Sequence, residues 1–258
     1  MTKVLYVMGE GSTNNGNIEF RWSLRSLEKY ARGADGEVNV EPVVVGYAPD
    51  WFSGEVLKMP DPCKRKTRNM GAKVIAACKA GLVEGEFLFS ADDHFLTRPR
   101  DFDTAPQYWK NPMLLAREQM AEKGNNFEVS LYLAREALLA HGMPAMDFSQ
   151  HFNTFFHADD WRLVEELSEY ALALEDGDVG ANFHSLFANA WLLRNCGKRK
   201  LVWRMDRKFP RNTLDLMQQG RADKFAGFSI NDNAFAVAGF RRWMDERYSV
   251  RSRWERTP

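Results

Sequence analysis

Two adjacent aspartates, Asp92 and Asp93, follow the apolar run Phe87-Leu88-Phe89 and are the side chains of this sequence best suited to chemistry. Two like charges at the end of a buried strand are unfavourable unless a cation or hydrogen-bond donors compensate them. Carboxylate oxygens suit Mg²⁺ or Mn²⁺, and Mg²⁺ commonly combines one or two carboxylates with substrate phosphates. The pair therefore predicts a divalent-metal site. The alternative is an Asp-rich turn in which Asp93 caps the following residues.

Basic side chains occur at two places where the sequence predicts the start of a helix. Arg21 and Arg25 are four residues apart and share one helix face. Lys64, Lys66 and Arg68 lie where the positive end of a helix dipole favours anions. We expect at least one of these five side chains to bind a phosphate, because an arginine fork matches that group. The alternative is a solvated charged face that pairs with Glu19 or Glu28.

The elements that position these residues follow a β-α-β-α-β order. Strands are predicted at residues 3–8 and 42–46 and directly before Asp92. Helices are predicted at 18–30 and from Asp61-Pro62 to about residue 80. This order predicts a doubly wound, mostly parallel sheet. The polar loop at 9–17 is neither a GxGxxG motif nor a P-loop.

The second part of the chain shows a different pattern. We expect a strand at 111–116, a strand or a helix at 129–140, amphipathic helices at 158–174 and 178–195, and a strand at 201–205. A basic, aromatic tail begins at 241–247. No repeat or linker separates the two parts, so the sequence predicts one domain over 1–258, with a shift in pattern after residue 100.

Composition argues against several classes of protein. Lysine and arginine total 35, as do aspartate and glutamate, so no net field indicates binding to nucleic acid or to an anionic membrane. Cys63, Cys78 and Cys196 are widely spaced and form no zinc motif, which is typical of reduced thiols. The sequence starts directly in a strand, without a signal peptide or an apolar stretch that could span a bilayer. We expect a cytoplasmic protein.

Four separated segments resemble, in the same order, those of the Stealth family of sugar-phosphate transferases, which includes capsular-polysaccharide and N-acetylglucosamine-1-phosphotransferases. The segments are residues 19–30 (EFRWSLRSLEKY), 67–96 (from Thr67-Arg68-Asn69 to Asp92-Asp93-His94), 149–153 (SQHFN) and 229–233 (SINDN) with the tail 240–255. The sequence departs from the family pattern at Ala91, where an asparagine is usual, and at His151-Phe152-Asn153, where HxP is usual.

This resemblance implies a glycosyltransferase-A-like fold, a doubly wound and mostly parallel sheet with helical additions. It implies one catalytic domain, in which 1–100 binds a nucleotide-sugar and 101–258 binds the acceptor and closes with Asn231-Asp232-Asn233. The implied reaction is a transfer of sugar 1-phosphate from a nucleotide-diphosphate-sugar to an acceptor hydroxyl, with Mg²⁺ or Mn²⁺ as cofactor. The acceptor is a glycan, a lipid, a protein or a modified nucleic acid, with no membrane span in this chain.

The resemblance also implies roles for individual residues. Asp92, Asp93 and Asp232 are the expected metal ligands, and we expect Asp232 to lie near the other two. His151 is the expected general base, with His141 as its competitor, and Asp93 and Asp232 share the catalytic role. His94 is either a further ligand or a neighbour of the site. The expected substrate-binding residues are Arg21, Arg25, Lys66, Arg68, Asn69 and Asn231.

Two other functions are compatible with the same residues. An ordinary glycosyltransferase would use the same carboxylates but transfer the sugar alone and release a nucleoside diphosphate. A non-catalytic module would bind a nucleotide or a nucleic acid through the basic, tryptophan-rich tail, because aromatic side chains stack on bases.

Overall fold

The structure is a computed structural model that describes residues 1–10, 16–112, 126–149, 153–174, 179–195, 197–203, 226–230 and 232–256. Its first part contains β1 (Thr2–Met8), α1 (Ile18–Tyr30), β2 (Val40–Gly46), β3 (Glu55–Leu57), α2 (Lys66–Lys79), β4 (Glu86–Ser90) and β5 (His94–Leu96). The predicted β-α-β-α-β order is therefore correct, and β3 is an additional short strand.

The second part is mainly helical. It contains β6 (Gln107–Trp109), β7 (Asn111–Pro112), α3 (Asn126–Ala140), β8 (Met146–Asp147), β9 (Thr154–His157), α4 (Trp161–Ala173), α5 (Phe183–Asn195), β10 (Leu201–Trp203), β11 (Gly227–Ser229) and α6 (Phe240–Arg247). Two 3-10 turns, Ala158–Asp160 and Asp232–Ala236, precede α4 and α6. The ambiguous segment 129–140 is a helix, and the tail at 241–247 is the helix α6.

The central sheet has five strands in the order β3-β2-β1-β4-β9. The first four run parallel, and β9 pairs antiparallel with β4. After β1 the chain moves outward to β2 and β3, and α2 then returns it to the opposite side of β1. The direction of winding therefore reverses between β1 and β4, and this confirms the predicted α/β class with a mostly parallel sheet. Such a reversal opens a crevice at the carboxyl ends of the two strands.

Both faces of the sheet are covered, because alternate side chains of each strand point in opposite directions. Val4, Tyr6 and Met8 of β1 pack with the buried face of α1. Leu5 and Val7 pack on the other side, in a core to which α2, α3, α4 and α5 contribute. A third cluster, which includes Trp22 and Phe95, joins α1 to β5, β11 and α6.

Two predicted boundaries differ from the structure. The helix expected from Asp61-Pro62 begins only at Lys66, after Arg65 in an extended conformation, and the Asp61 carboxylate binds the ammonium of Lys73 and the backbone N–H of Glu10. The strand expected at 111–116 is seen at Asn111–Pro112, and 113–116 lie outside the described residues.

Cys63 and Cys78 are free thiols, and Cys196 is outside the described residues. In the described ranges, no helix is long and apolar enough to cross a membrane.

Candidate functional site

The two aspartates lie in the turn between β4 and β5, at the carboxyl end of β4 and therefore at the crevice between β1 and β4. Both side chains are half-buried. The apolar residues before them, Phe87 to Phe89, are completely buried between the two faces of the sheet. The sequence therefore places a pair of carboxylates at the edge of the sheet where open α/β folds bind their ligands.

Hydrogen bonds within the turn fix the orientation of His94. The backbone N–H of Ala91 donates to His94 Nδ1 at 3.3 Å, and the backbone N–H of His94 donates to the Ala91 carbonyl at 3.2 Å. Because Nδ1 accepts, the neutral imidazole carries its proton on Nε2, which lies 3.8 Å from Asp93 Oδ1. The buried His94 ring thus directs its Nε2–H group toward the Asp93 carboxylate. This geometry favours His94 as a polar neighbour of Asp93.

A buried hydroxyl network lies beneath the turn. Ser23 Oγ of α1 donates to the His94 carbonyl at 2.7 Å and therefore accepts from the Tyr6 hydroxyl at 2.8 Å. Tyr6 also bonds the Ser90 side chain. Burial raises the pKa of the Tyr6 hydroxyl far above its usual value, and the charge of Asp92 acts in the same direction. Tyr6 is therefore a neutral donor that ties β1, β4 and α1 together under the two aspartates.

The fit of this site to a divalent cation depends on its donors. Within the described residues, no three side chains of histidine, cysteine, aspartate or glutamate converge on one point. Two neighbouring carboxylates nevertheless fit Mg²⁺ or Mn²⁺ where substrate phosphates and water supply the other ligands. Asp92 and Asp93 are thus compatible with a metal that binds together with a diphosphate.

The third expected ligand, Asp232, is brought toward this turn by strand pairing. β11 runs antiparallel to β5 with Ser229 opposite His94, and the 3-10 turn that begins at Asp232 follows three residues later. Three residues span at most about 10 Å, so the Asp232 backbone lies within that distance of Ser229. Its side chain is outside the described part, as are Asn231 and His151, so the roles of these three residues stay predictions.

The first turn of α2 carries Lys66, Arg68 and Asn69. Lys66 and Arg68 are exposed, whereas Asn69 is half-buried and its side chain bonds the Asp61 carboxylate. The aliphatic part of Arg68 lies against Gly180, where an added Cβ would come within 3.3 Å of it. Among the described residues the two cationic groups are therefore exposed to solvent, and their phosphate-binding role stays a prediction.

A buried ion pair that the sequence reading missed connects α2 to the end of β1. Lys73 is 0% exposed, donates to the Met8 carbonyl at 2.8 Å and pairs with Asp61. The Glu10 N–H also donates to Asp61, at 3.2 Å. Burial alone would raise the pKa of Asp61, but the bonds from Lys73, Asn69 and Glu10 together hold this pKa below its usual value. The only sequence signal was a lysine on the otherwise small and apolar face of a helix.

Arg21 and Arg25 have a partner from the other end of the chain. Arg21 Nη1 lies 2.7 Å from Glu255 Oε2, and Arg25 Nε and Nη2 lie 2.8 and 3.0 Å from the two Glu255 oxygens. Glu28, which the sequence suggested as a partner, binds Arg253 instead. Glu255 was not identified from the sequence, because its contact with α1 spans more than 200 residues.

The described histidines differ in their surroundings. His141 follows α3, where Nδ1 bonds the Ala137 carbonyl at 2.8 Å and Nε2 lies 3.6 Å from Glu166 Oε1, which is typical of a structural histidine. His184, which the sequence reading did not select, lies in the first turn of α5 with its ring 4.5 Å from that of Phe89. Phe89 precedes Asp92 by three residues, so His184 is near the end of β4.

Comparisons with known proteins give fold similarities only. No protein-family model and no curated protein matches the chain. Among solved structures, the chain is similar to the galactosyltransferase LgtC in complex with donor and acceptor sugar analogues, with a TM-score of 0.48, 10% identity and 96% of both chains covered. It is also similar to an active-site mutant of LgtC, with a TM-score of 0.49, 9% identity and the same coverage. Similarity at this level establishes neither a shared family nor a shared activity.

Proposed function

We propose that this protein is a metal-dependent transferase that uses a nucleotide-diphosphate-sugar and transfers sugar 1-phosphate to an acceptor hydroxyl. One observation carries the proposal: Asp92 and Asp93 occupy the carboxyl end of β4 at the reversal of the sheet, above the hydroxyl network of Tyr6 and Ser23. The resemblance of residues 67–96 to the Stealth pattern supports the same assignment.

Asp92 and Asp93 would hold Mg²⁺ or Mn²⁺, with Asp232 as the third expected ligand. When bound, the cation would neutralise the donor diphosphate and the charge that develops at phosphorus. Lys66 and Arg68, at the positive end of α2, would bind the remaining phosphate oxygens. The buried His94 would lie beside Asp93, with its Nε2 3.8 Å from Asp93 Oδ1, and would contribute a polar neighbour to the site.

His151 is the proposed general base, because an imidazole takes up a proton near neutral pH. It would remove the proton of the acceptor hydroxyl while that oxygen attacks the phosphorus attached to the sugar. The bond from this phosphorus to the oxygen that bridges the two phosphates breaks, and a nucleoside monophosphate leaves. The C1–O bond of the sugar stays intact, so the anomeric configuration is retained.

The test is a product analysis on the purified protein with Mg²⁺ or Mn²⁺ and a panel of nucleotide-sugars, with hydroxyl acceptors or water. Phosphorus NMR should show a nucleoside monophosphate together with a sugar phosphate or a sugar phosphodiester. Release of a nucleoside diphosphate with a phosphate-free sugar would identify an ordinary glycosyltransferase. Binding of nucleotides without turnover of any donor would identify a non-catalytic module.

The substitutions Asp92→Asn and Asp93→Asn should each lower the turnover by at least about a thousandfold and leave the fold intact, because the amide lacks the charge that holds a divalent cation. The stabilisation of the protein by metal plus nucleotide, measured as a shift in Tm, should disappear as well. Asp159→Asn is the matched control, since this side chain is 70% exposed and lies after β9. Full activity of either site variant would remove the metal assignment.

A further inference from the structure

A polar cavity lies beside α1 and outside the proposed metal site. It has a volume of about 520 Å³ and is lined by Arg21, Arg25, Asp50, Trp51, Arg251, Glu255 and Arg256. The C-terminal segment forms one wall, because the Arg256 N–H donates to the Trp51 carbonyl at 2.6 Å and the Ser53 N–H donates to the Trp254 carbonyl at 2.9 Å. The cavity is therefore built from three separate parts of the chain.

Glu255 organises the inner wall of this cavity. Its side chain is 0% exposed and accepts hydrogen bonds from Arg21, Arg25 and the backbone N–H of Ser252. Burial alone would raise the pKa of Glu255, but its bonds with Arg25, Ser252 and Arg21 hold the pKa below the usual value. The carboxylate is therefore ionised at neutral pH, and its oxygens are already occupied by these donors. It fixes the two guanidinium groups in place.

The charges of the lining residues do not cancel. Four arginines face two carboxylates, and one of the two, Glu255, is buried behind Arg21 and Arg25. The other, Asp50, is exposed, as are Arg251 and Arg256. Arg251 Nη2 donates to the Glu255 carbonyl at 2.8 Å, which leaves further N–H groups of this fork for a ligand. A cavity with two excess positive charges attracts an anion.

Trp51 makes the cavity more rigid. The Arg21 guanidinium lies 4.0 Å from the centre of the Trp51 ring, which in turn packs against the buried ring of Phe20 at 5.6 Å. An arginine that is stacked on one side and bonded to a carboxylate on the other loses little further freedom when it binds a ligand. The side chains are thus arranged in advance for a planar or tetrahedral anion.

We propose that this cavity is a binding site for a phosphate or diphosphate group, separate from the Asp92–Asp93 turn. Arginine forks recognise phosphate oxygens by paired, charge-assisted hydrogen bonds. The forks of Arg251 and Arg256 lie at the rim of one space of suitable size, beside the Arg21 guanidinium, whereas the N–H groups of Arg25 bind Glu255 and the Tyr248 carbonyl. The ligand is a phosphorylated compound, either a nucleotide or a phosphorylated acceptor, and both present the phosphate group that the cavity would bind. Binding of such a compound does not require the proposed reaction.

Binding of pyrophosphate to the full chain, measured by calorimetry at low ionic strength without divalent metal, tests this site. Arg251→Ala and Arg256→Ala should each weaken binding about tenfold, and the double variant should weaken it further, because each substitution removes a fork from the rim. Higher salt should weaken binding to the wild-type protein as well. Arg242→Ala is the matched control, since this exposed arginine of α6 pairs with Glu246 and does not line the cavity.

The Asp92→Asn and Asp93→Asn variants separate this site from the proposed catalytic site. They should retain the affinity for pyrophosphate, even though they lose turnover. Competition then identifies the source of the phosphate: displacement of pyrophosphate by a nucleoside diphosphate indicates a nucleotide, and displacement by a sugar phosphate alone indicates a phosphorylated acceptor. The absence of binding, or binding that Arg251→Ala and Arg256→Ala leave unchanged, would overturn the proposal.

Discussion

At the scale of single residues, Lys73 shows how a charge can be kept in the interior. A buried ammonium is costly unless it is paired and hydrogen-bonded. Here the Met8 carbonyl and the Asp61 carboxylate both bind it, and Asp61 is in turn held by the Glu10 N–H. The pair therefore joins the end of β1 to α2 and to the segment that precedes this helix.

Lys73→Met should lower the free energy of unfolding by about 2–3 kcal/mol at pH 7, because Asp61 loses its cation while remaining 28% exposed. Lys79→Met is the control on the same helix. Lys79 pairs with Glu165 at 2.6 Å, but both side chains are about 40% exposed, so its loss should cost less than about 1 kcal/mol. Urea denaturation of both variants checks this difference, and equal effects would contradict the structural role of Lys73.

The contribution of the Lys73–Asp61 pair to the stability of the folded protein depends on pH. The pKa of Asp61 is lowered in the folded protein, so its ionised form adds stability above the usual value of 3.8, and this stability is lost as the pH falls through the folded value. The difference in stability between the wild-type protein and Asp61→Asn should therefore shrink below about pH 4. It should be constant between pH 6 and 8.

At the scale of elements, the end of β2 depends on a glycine. Gly46 has φ of +114°, and a Cβ at this position would lie 2.0 Å from the Met8 carbonyl oxygen and 2.9 Å from Lys73 Nζ. The close approach lets the Tyr47 N–H donate to Met8 at 3.2 Å, so that β1 and β2 end together. Both strands were predictable from their apolar runs. The close contact between Gly46 and Met8 was not, because it depends on the distance between the two strands.

Gly46→Ala should lower the free energy of unfolding by more than about 4 kcal/mol or prevent folding, since backbone atoms block the added methyl group. Gly36→Ala provides the comparison: φ is +81°, but nothing lies within 4 Å of the new Cβ. The second variant should lose only about 1–2 kcal/mol through its backbone conformation. Circular dichroism and the yield of soluble protein distinguish them, and a stable Gly46→Ala variant would show that β1 and β2 separate readily.

At the scale of the whole molecule, local patterns and long-range contacts differ in how far they could be predicted. The alternation of apolar strands and helices up to residue 96 predicted the parallel sheet and the position of Asp92 and Asp93 at its edge. The pairing of β9 with β4, of β11 with β5, and of Glu255 with Arg21 joins residues far apart in sequence. Such contacts depend on tertiary packing, which leaves no periodic signal in a single sequence.

These contacts also decide whether the first part of the chain can fold alone. β9 covers the outer edge of β4, and the core on the α2 side of the sheet includes Leu131, Phe156 and Phe187. Without them, Leu5, Val7, Phe87 and Phe89 would lose the cover that α3, β9 and α5 provide, although each is at most 8% exposed in the whole chain. On this face only α2 and the residues that follow it would remain, so much of the hydrophobic stabilisation of the face would be absent.

A fragment of residues 1–100 should therefore lack cooperative unfolding, although it contains four parallel strands and both crossover helices. The whole chain should unfold in one transition, with coincident curves from tryptophan fluorescence and circular dichroism in urea. For the fragment, we expect a shallow, non-cooperative curve and a poorly dispersed amide NMR spectrum, because only α2 would cover one face of its sheet and the rest of that face would be exposed to water. A dispersed spectrum and a steep transition would instead mean that residues 1–100 fold as an independent unit, and that this part of the chain could be studied by itself.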